Sequence, residues 1–492
     1  MLQGSRMMRR RAERTVWDEQ AAVPQMRDLA ARAFSRAAGA PLIDGNGVRI
    51  LKDAGENFPA WLAAIRKARH CIHFESYFIV DDAAGREFAE ALAAKAGEGV
   101  AVRVIYDWFG NFGKASRGFW QRLQSAGVEV RCYNPPRFDS PFAWPSRDHR
   151  KMLEVDGEVA FISGLCVGSV WLGDPAKGIA PWRDTGVEIR GPAVAEVRRA
   201  FARAWSSMGS ALPDNPGVAP APAGDVSLRI VASEPSTAGM LRLDQLVAAL
   251  ARHRLWLTDA YYAGTASYVQ ALKAAARDGV DVRLLVPGAT DIPLLRPVTR
   301  SGYRALLEAG IRVFEWNGSM LHAKTAVMDD RWARVGSTNL NVASWLGNCE
   351  LDAVIEDASF ASEMARMYEE DLGNATEIVL DAKHRMRSPG APHRVRFQTS
   401  GGGGSTGRVA AGAMRLGRAV GAALTDRRVL DAVEARMTMG TGLALLVAAL
   451  VFAIFPHALA YPLAAIAAWV GIALLSRSYR LRRDRKRGDR LG

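Results

Sequence analysis

The chain has few cysteines, and none of them is spaced as a metal site or a disulfide framework would require. Its 492 residues contain four, at positions 71, 132, 166 and 349, with no CxxC pair among them. A zinc site or a disulfide-stapled fold is therefore not expected, and we interpret the four as reduced thiols in a cytosolic compartment. No apolar run follows the basic N-terminus, which therefore does not resemble a secretory signal.

Acidic residues are in the minority, which bears on the class of partner. The chain has 51 Asp and Glu against 64 Lys and Arg, a formal net charge of +13 at pH 7. A basic balance favours nucleic acid, anionic lipid surfaces or phosphate esters, although a basic soluble surface would give the same balance. The length suffices for two domain-sized cores and an appendage.

Charged residues are absent from two apolar runs near the C-terminus, 439–455 and 458–475. Each is near the lower limit of roughly 17–25 residues for a membrane-spanning helix. Arginine-rich stretches flank the pair on both outer sides, so the positive-inside tendency predicts a transmembrane hairpin with both ends in the cytoplasm. A re-entrant hairpin and a helix pair buried against protein are the alternatives. The preceding segment 407–436 fits a basic helix on a membrane surface or a solvated helix.

The rest of the chain repeats itself. Residues 88–105 and 268–285 share a short amphipathic helix, a glycine and an apolar strand, and 123–130 and 307–313 share a second such unit. Strands that alternate with helices predict an α/β fold with largely parallel pairing. The predicted segments are a basic N-terminal extension (1–39), a first repeat (40–211), a Pro-rich linker (212–225), a second repeat (226–398), a Gly/Ser linker (399–406), a basic amphipathic segment (407–436), the membrane hairpin (437–476) and an Arg-rich tail (477–492).

Each repeat contains one copy of the pattern His, any residue, Lys, four residues, Asp. The copies are His149, Lys151 and Asp156 in the first repeat and His322, Lys324 and Asp329 in the second. A site that cleaves an anionic phosphodiester without metal must supply positive charge, a nucleophile and a proton for the leaving group. Two imidazoles can divide the last two tasks, and two ammonium groups can hold the phosphate. On a strand, His and Lys two residues apart point into one cleft. The aspartates fit a brace for a turn better than proton transfer.

The residues that follow each motif differ between the repeats. The second repeat has Gly336, Ser337, Asn339 and Glu350, and the matching positions of the first repeat have Ser163, Cys166 and Asp184. Small residues would let the backbone approach a phosphate, and Ser337 and Asn339 would donate hydrogen bonds to it, whereas Cys166 is a much weaker donor. We expect Glu350 to accept from the His322 ring and fix its tautomer.

The two motifs resemble the HKD signatures of the phospholipase D superfamily, over about residues 40–375. Within it the chain is most similar to bacterial cardiolipin synthases, in segments 182–192, 285–295 and 336–344. The resemblance implies two α/β repeats, each a mixed sheet flanked by helices, packed as a pseudo-dimer around one active site. It also implies a phosphohistidine intermediate, no metal and no cofactor, with phosphatidylglycerol as donor and a lipid alcohol as acceptor.

These features lead to one mechanistic hypothesis. His149 attacks the donor phosphorus, following family precedent, while His322 protonates the departing glycerol and then activates the acceptor. The hairpin would hold the enzyme on the anionic bacterial inner membrane with its catalytic region in the cytoplasm. A membrane-tethered hydrolase or nuclease is the alternative, a non-enzymatic scaffold is a third reading, and the oligomeric state stays open. We expect His73 to be a packed core residue and segment 133–148 to be a lid or an entry route. Tyr77 and Tyr261 could line the cleft or pack in the core, and we favour packing.

Overall fold

The computed structural model describes residues 30–136, 146–213, 220–292, 295–380 and 386–387, together with scattered positions between 443 and 479. The first half begins with helix α1 (30–38). It continues with β1 (Ile43–Lys52), α2 (Asp53–Lys67), β2 (Cys71–Ser76), α3 (Ala83–Gly97), β3 (Ala101–Asp107), α4 (Arg117–Ser125), β4 (Glu129–Tyr133), β5 (Lys151–Val155), β6 (Val159–Ser163), β7 (Thr185–Arg190) and α5 (Val194–Ser207).

The second half repeats this plan. It contains β8 (Val226–Ser233), α6 (Gly239–Leu250), β9 (Arg254–Thr258), α7 (Ala266–Arg277), β10 (Asp281–Pro287), α8 (Leu295–Arg300), α9 (Tyr303–Leu307), β11 (Arg312–Trp316), β12 (Thr325–Met328), β13 (Trp332–Gly336), β14 (Glu350–Glu356), α10 (Ala358–Leu372), β15 (Ala375–Leu380) and β16 (Met386–Arg387). The predicted alternation of helices and strands is therefore present in both halves.

The repeated unit of helix, glycine and strand is confirmed. Asp82 caps α3 by accepting from a backbone N–H of its first turn at 3.0 Å, and Thr265 caps α7 in the same way at 3.3 Å. Beyond the other end of each helix, Gly99 and Gly279 have φ of +88° and +91°. Only glycine adopts this backbone conformation without strain, so these two residues turn the chain into β3 and β10.

The strands of the described residues form one mixed sheet. Their order is β16-β15-β11-β10-β9-β12-β13-β14-β8-β1-β7-β6-β5-β2-β3-β4. Parallel pairing is limited to β2-β3-β4 and β9-β10-β11, and the other ladders are antiparallel. The prediction of largely parallel pairing is wrong, because β5–β6 and β12–β13 are hairpins with short turns, which only antiparallel strands allow.

The two halves share part of their hydrophobic core. One cluster consists mainly of first-half residues such as Trp61, and another consists mainly of second-half residues such as Trp345. The remaining cluster contains residues of both halves, including Phe201 of α5 and Tyr368 of α10. Full burial of a side chain of this size contributes about 1.5–3 kcal/mol. The shared cluster therefore holds the halves together behind the strands that carry the two motifs.

Several predicted segments lie wholly or mostly outside the described residues. The N-terminal residues 1–29, the Gly/Ser linker, the basic segment 407–436 and most of the proposed lid lie outside the described residues. The predicted hairpin 437–476 lies only partly inside them, with a helix at 460–472. Among the residues that the structure describes, no helix is both long enough and apolar enough to cross a membrane.

Candidate active site

Backbone hydrogen bonds attach each motif to the opposite half of the molecule. The His149 N–H donates to the carbonyl of Cys349 at 2.9 Å, and the His322 N–H donates to the carbonyl of Arg183 at 2.7 Å. The Cys349 N–H donates to the carbonyl of Arg147, and the Arg183 N–H donates to the carbonyl of Met320, so each link between the halves has two bonds. Glu350 follows Cys349, and Asp184 follows Arg183. Each motif therefore lies beside the acidic residue of the other half.

The side chains continue this crossed arrangement. His149 Nδ1 lies 2.9 Å from Glu350 Oε2, and His322 Nδ1 lies 2.8 Å from Asp184 Oδ2. The expected pairing of Glu350 with His322 is therefore wrong, and Asp184 takes that place. The physical reason is that the backbone bridges described above fix the acids opposite the motif of the other half. A carboxylate at Nδ1 leaves Nε2 as the ring nitrogen available for chemistry.

Both motif lysines lie beside their histidines in the interior. Lys151 donates to the His149 carbonyl and Lys324 to that of His322. Lys324 Nζ also lies 3.1 Å from His322 Nε2. Burial lowers the pKa of both ammonium groups, and nearby carboxylates oppose the shift. The centre thus places two ammonium groups beside two imidazoles.

The two histidine–acid pairs differ in their electrostatics. Burial, and next the charge of Lys324, lower the pKa of His322 to about 3. Burial opposes the ionisation of Asp184, yet its hydrogen bond with His322 brings its pKa below the usual value. At neutral pH this pair is therefore a neutral imidazole bonded to a carboxylate rather than an ion pair. Burial raises the pKa of Glu350 to about 6, although Lys151 and the Ser337 hydroxyl oppose the shift.

The motif aspartates act on the backbone. Asp156 accepts from the N–H groups of residues 69–71 at 2.7–2.8 Å, and Asp329 accepts from those of residues 252–254 at 2.8–3.3 Å. Both have positive φ, +56° and +50°, at the turn that ends their strand. This geometry agrees with the expected turn brace, and it gives both aspartates a structural role beside the motif histidines and lysines.

The residues after the motifs support the carboxylates rather than an open phosphate cleft. Ser337 Oγ donates to Glu350 at 2.6 Å, which directs the hydroxyl toward the His149 pair. A Cβ at Gly336 would lie 2.3 Å from an Asp352 oxygen, so this glycine makes room for that side chain. Asn339 Nδ2 lies 3.5 Å from Ser344 Oγ. Cys166 is buried, and burial raises the pKa of its thiol, which fits a core residue.

Aromatic rings enclose the two imidazoles. Tyr77 meets His149 edge-on at 5.1 Å between centroids, and Tyr261 meets His322 at 5.7 Å. Both tyrosines are buried, as expected, and they also line the site, which was the alternative that the sequence left open. Trp171 lies 5.7 Å from the His322 ring, and its indole N–H donates to Asp184 at 3.3 Å. Tyr77 follows the end of β2, and Tyr261 follows the end of β9. This position after a strand is the sequence feature that indicates proximity to the motifs.

A layer of buried charges lies behind His149. Arg147 pairs with Asp107 at 3.2 Å, and Arg150 lies 3.7 Å from Glu75. Burial raises the pKa of Asp107 to about 7. The residues at the corresponding positions around His322 are apolar: Met320, Leu321 and Ala323. The two halves therefore present their histidines in different environments.

One group of potential metal ligands occurs in the described residues. Cys71, His73 and Glu154 place ligand atoms within 4.8 Å of one another. His73 Nδ1 already contacts Glu154 at 2.5 Å, and its ring stacks on Phe201 at 4.7 Å. Cys71 is the first residue of β2, whereas Tyr77, which lines the site, follows its last residue. His73 is therefore a packed core residue, as the sequence predicted.

Two α/β halves, each contributing a His/Lys motif to a crossed pair of imidazoles, define a phospholipase D-like protein. The family described as "Cardiolipin synthase, PLD-like domain" matches residues 61–205 and 247–372, one segment in each half. The chain belongs to this family.

Individual proteins agree with the family match. A cardiolipin synthase of Halalkalibacterium halodurans is 33% identical over 357 residues, which cover 70% of each chain. Cardiolipin synthase A of Pseudomonas putida is 32% identical over 371 residues, covering 73% of this chain and 76% of the relative. The crystal structure of a phosphatidylserine synthase from Haemophilus influenzae has a TM-score of 0.53 at 15% identity. It covers 71% of this chain and 91% of that one, and shows the same fold.

Proposed function

We propose that the chain is a phosphatidyltransferase of the cardiolipin synthase type, with phosphatidylglycerol as donor and a lipid alcohol as acceptor. The two halves, divided as the sequence predicts, act as a pseudo-dimer with one active centre. The observation that carries the proposal is the crossed arrangement of two buried imidazole–carboxylate pairs. Neither half alone holds a complete pair, so catalysis requires both.

In the first displacement, His149 Nε2 attacks the donor phosphorus and a phosphorus–nitrogen bond forms. The bond to the glycerol oxygen breaks, and that oxygen takes a proton from His322. Lys151 and Lys324 hold the non-bridging oxygens as negative charge develops on them. Glu350 stabilises the charge that arises on the His149 ring as it becomes phosphorylated.

His322 must gain its proton when the donor binds. The ring is neutral in the free enzyme because burial and the Lys324 charge depress its pKa. An anionic phosphodiester between the two lysines offsets that charge and favours the imidazolium. In the second displacement, His322 accepts the proton of the acceptor hydroxyl, the new oxygen attacks phosphorus and His149 is released.

Transfer requires that a lipid alcohol reaches the phosphohistidine before water does. His149 and His322 are only 4% and 5% exposed, and Trp171 and the two tyrosines cover their rings. This enclosure favours transfer over hydrolysis. The apolar hairpin and Arg-rich tail would hold the centre at an anionic inner membrane with the catalytic region in the cytoplasm.

Incubation of the full-length protein with phosphatidylglycerol vesicles, and separately with single-stranded DNA, tests the proposal. Cardiolipin with free glycerol is the expected product pair. Phosphatidic acid alone would identify a hydrolase, cut DNA a nuclease, and binding without turnover a scaffold. Donor labelled in its phosphate should mark the wild type and the exposed-histidine control His253→Ala, but not His149→Ala. Label retained by His149→Ala and lost by His322→Ala would reverse the assignment of the nucleophile.

A further inference from the structure

Few large apolar side chains are exposed on the two halves. Between residues 30 and 380, the described residues include five: Phe112 at 62%, Leu172 at 44%, and Leu250, Leu346 and Val379 at 40% each. Single exposed apolar residues are common on soluble proteins and by themselves indicate nothing. What distinguishes this set is where its members lie relative to the catalytic centre.

Phe112 lies on a loop that packs against the His149 side of the centre. The loop follows β3 and contains Gly110, where a Cβ would lie 2.4 Å from the Tyr77 carbonyl oxygen. Tyr77 in turn contacts the His149 ring at 5.1 Å. The exposed phenyl ring is therefore two residues from a backbone that touches a wall of the site.

Leu172 lies on the His322 side of the centre. It directly follows Trp171, whose ring lies 5.7 Å from that of His322 and whose indole N–H donates to Asp184. Trp171 is buried while Leu172 is exposed. The chain thus crosses from the wall of the centre to the surface within one residue.

Leu346 lies on the helical turn Ala343–Gly347, between the second motif and β14. Ser344 of the same turn contacts Asn339 at 3.5 Å and forms a hydrogen bond with Glu350. Leu250 and Val379 lie elsewhere: Leu250 ends α6 before the start of β9, and Val379 is on β15 near one end of the sheet. Leu172 and Leu346 are therefore on turns that touch catalytic groups, and Phe112 is on a loop that packs against Tyr77, which contacts the His149 ring.

We propose that Phe112, Leu172 and Leu346 form an apolar rim that inserts into the interfacial layer of a phospholipid bilayer and positions the catalytic centre over the headgroups. This inference rests on the proposed function, because a lipid substrate must reach a buried centre from a membrane. Leucine and phenylalanine side chains enter the boundary between headgroups and acyl chains favourably. The uncharged apolar runs 439–455 and 458–475 of the same chain also suit a bilayer rather than a protein partner.

A kinetic comparison separates membrane docking from catalysis. The triple variant F112S/L172S/L346S and the control L250S/V379S would be assayed, as full-length proteins, on phosphatidylglycerol vesicles and on a short-chain phosphatidylglycerol kept monomeric in solution. We expect the rim variant to lose about tenfold or more in kcat/KM on vesicles, the loss expected when large apolar side chains no longer leave water. Turnover of the monomeric substrate should stay within about twofold, and the control should match the wild type on both.

Equal loss on both substrates would place the rim residues in the catalytic centre, and full retention on vesicles would remove their role; either result overturns the proposal.

A second measurement does not depend on turnover. An environment-sensitive dye on F112C, L172C or L346C should be quenched by quenchers within the acyl layer of phosphatidylglycerol vesicles, while the dye on L250C should not. Quenching without any turnover would support the rim and reject the proposed reaction. Absence of quenching at all three sites, or quenching equal to that at L250C, would reject the rim. A change in molecular mass for the rim variant without quenching would also reject it and would indicate a protein partner.

Discussion

Replacing Glu350 with Gln tests the crossed pairing, because the change keeps the shape of the side chain and alters only the group that faces His149. Glu350 accepts from the His149 ring at 2.9 Å and from the Ser337 hydroxyl at 2.6 Å. A glutamine amide would present N–H groups to Nδ1 and favour the tautomer whose Nε2 carries the proton. That tautomer cannot attack phosphorus through Nε2.

The size of the effect follows from the role of the acid. Loss of a hydrogen bond to a charged group costs about 1.5–3 kcal/mol, and a wrong tautomer in a Ser-His-Asp triad lowers kcat roughly 10⁴-fold. We therefore expect Glu350→Gln to slow formation of the phosphohistidine by about 10³–10⁴-fold. Quenched-flow measurement of labelled enzyme from labelled phosphatidylglycerol gives this rate directly.

Asp352→Asn is the matched control. Asp352 is buried on the same strand as Glu350, is bonded by Thr338, and has its pKa raised to about 7 by burial. The control should form the phosphohistidine at a rate near that of the wild type.

A second measurement on Glu350→Gln uses magnetic resonance: the signals of His149 should change, and those of His322 should not. Phosphohistidine formation within about tenfold of wild type, or a change at His322 instead, would refute the crossed pairing.

Four further outcomes are expected. Asp184→Asn should lower kcat by about 10³–10⁴-fold, because His322 loses its carboxylate, and steady-state assays with circular dichroism as a fold control check this. Asp156→Ala should lower the free energy of unfolding by about 2 kcal/mol or more through three lost backbone bonds, measured by urea titration, while folded enzyme keeps its activity. Activity should fall as pH drops through about 6, where Glu350 becomes protonated, and a pH profile of Glu350→Gln should lack that limb. Folding raises the pKa of Glu350, so its favourable contribution to the free energy of unfolding is present below about pH 4.5 and is lost as pH rises through about 6. Urea titrations at pH 4.5 and 7 should therefore show that the wild type loses about 2 kcal/mol of unfolding free energy relative to Glu350→Gln.

Features set by local chemistry could be predicted from the sequence. The helix, glycine and strand units follow from periodicity and from glycine at positive φ, and the motif aspartates follow their strands by a fixed spacing that suits a brace. The packing of His73 follows from its apolar strand. In each case the partners lie on adjacent turns or neighbouring strands, so the spacing along the chain contains the information.

The identity of each histidine's partner could not be predicted in this way. Glu350 lies in the same half as His322, and proximity along the chain therefore suggested that they pair. The backbone bridges between His149 and Cys349 and between His322 and Arg183 reverse that choice. These bridges depend on how the halves pack, which periodicity within either half does not encode. The sequence could not decide between the two roles of the tyrosines for a related reason, because packing in a core and contact with a catalytic ring look identical in a sequence.

The unequal surroundings of the two histidines bear on the order of events. Behind His149 lie Arg147, Asp107 and further buried charges, whereas apolar residues occupy the corresponding positions around His322. Burial and the charge of Lys324 keep the pKa of His322 low, so its ring is neutral until an anion arrives. Donor binding would then supply the condition under which His322 holds the proton that the leaving glycerol needs. Under the proposed mechanism, the second histidine would be an acid only when the phosphodiester is bound, so proton delivery would depend on a correctly bound lipid.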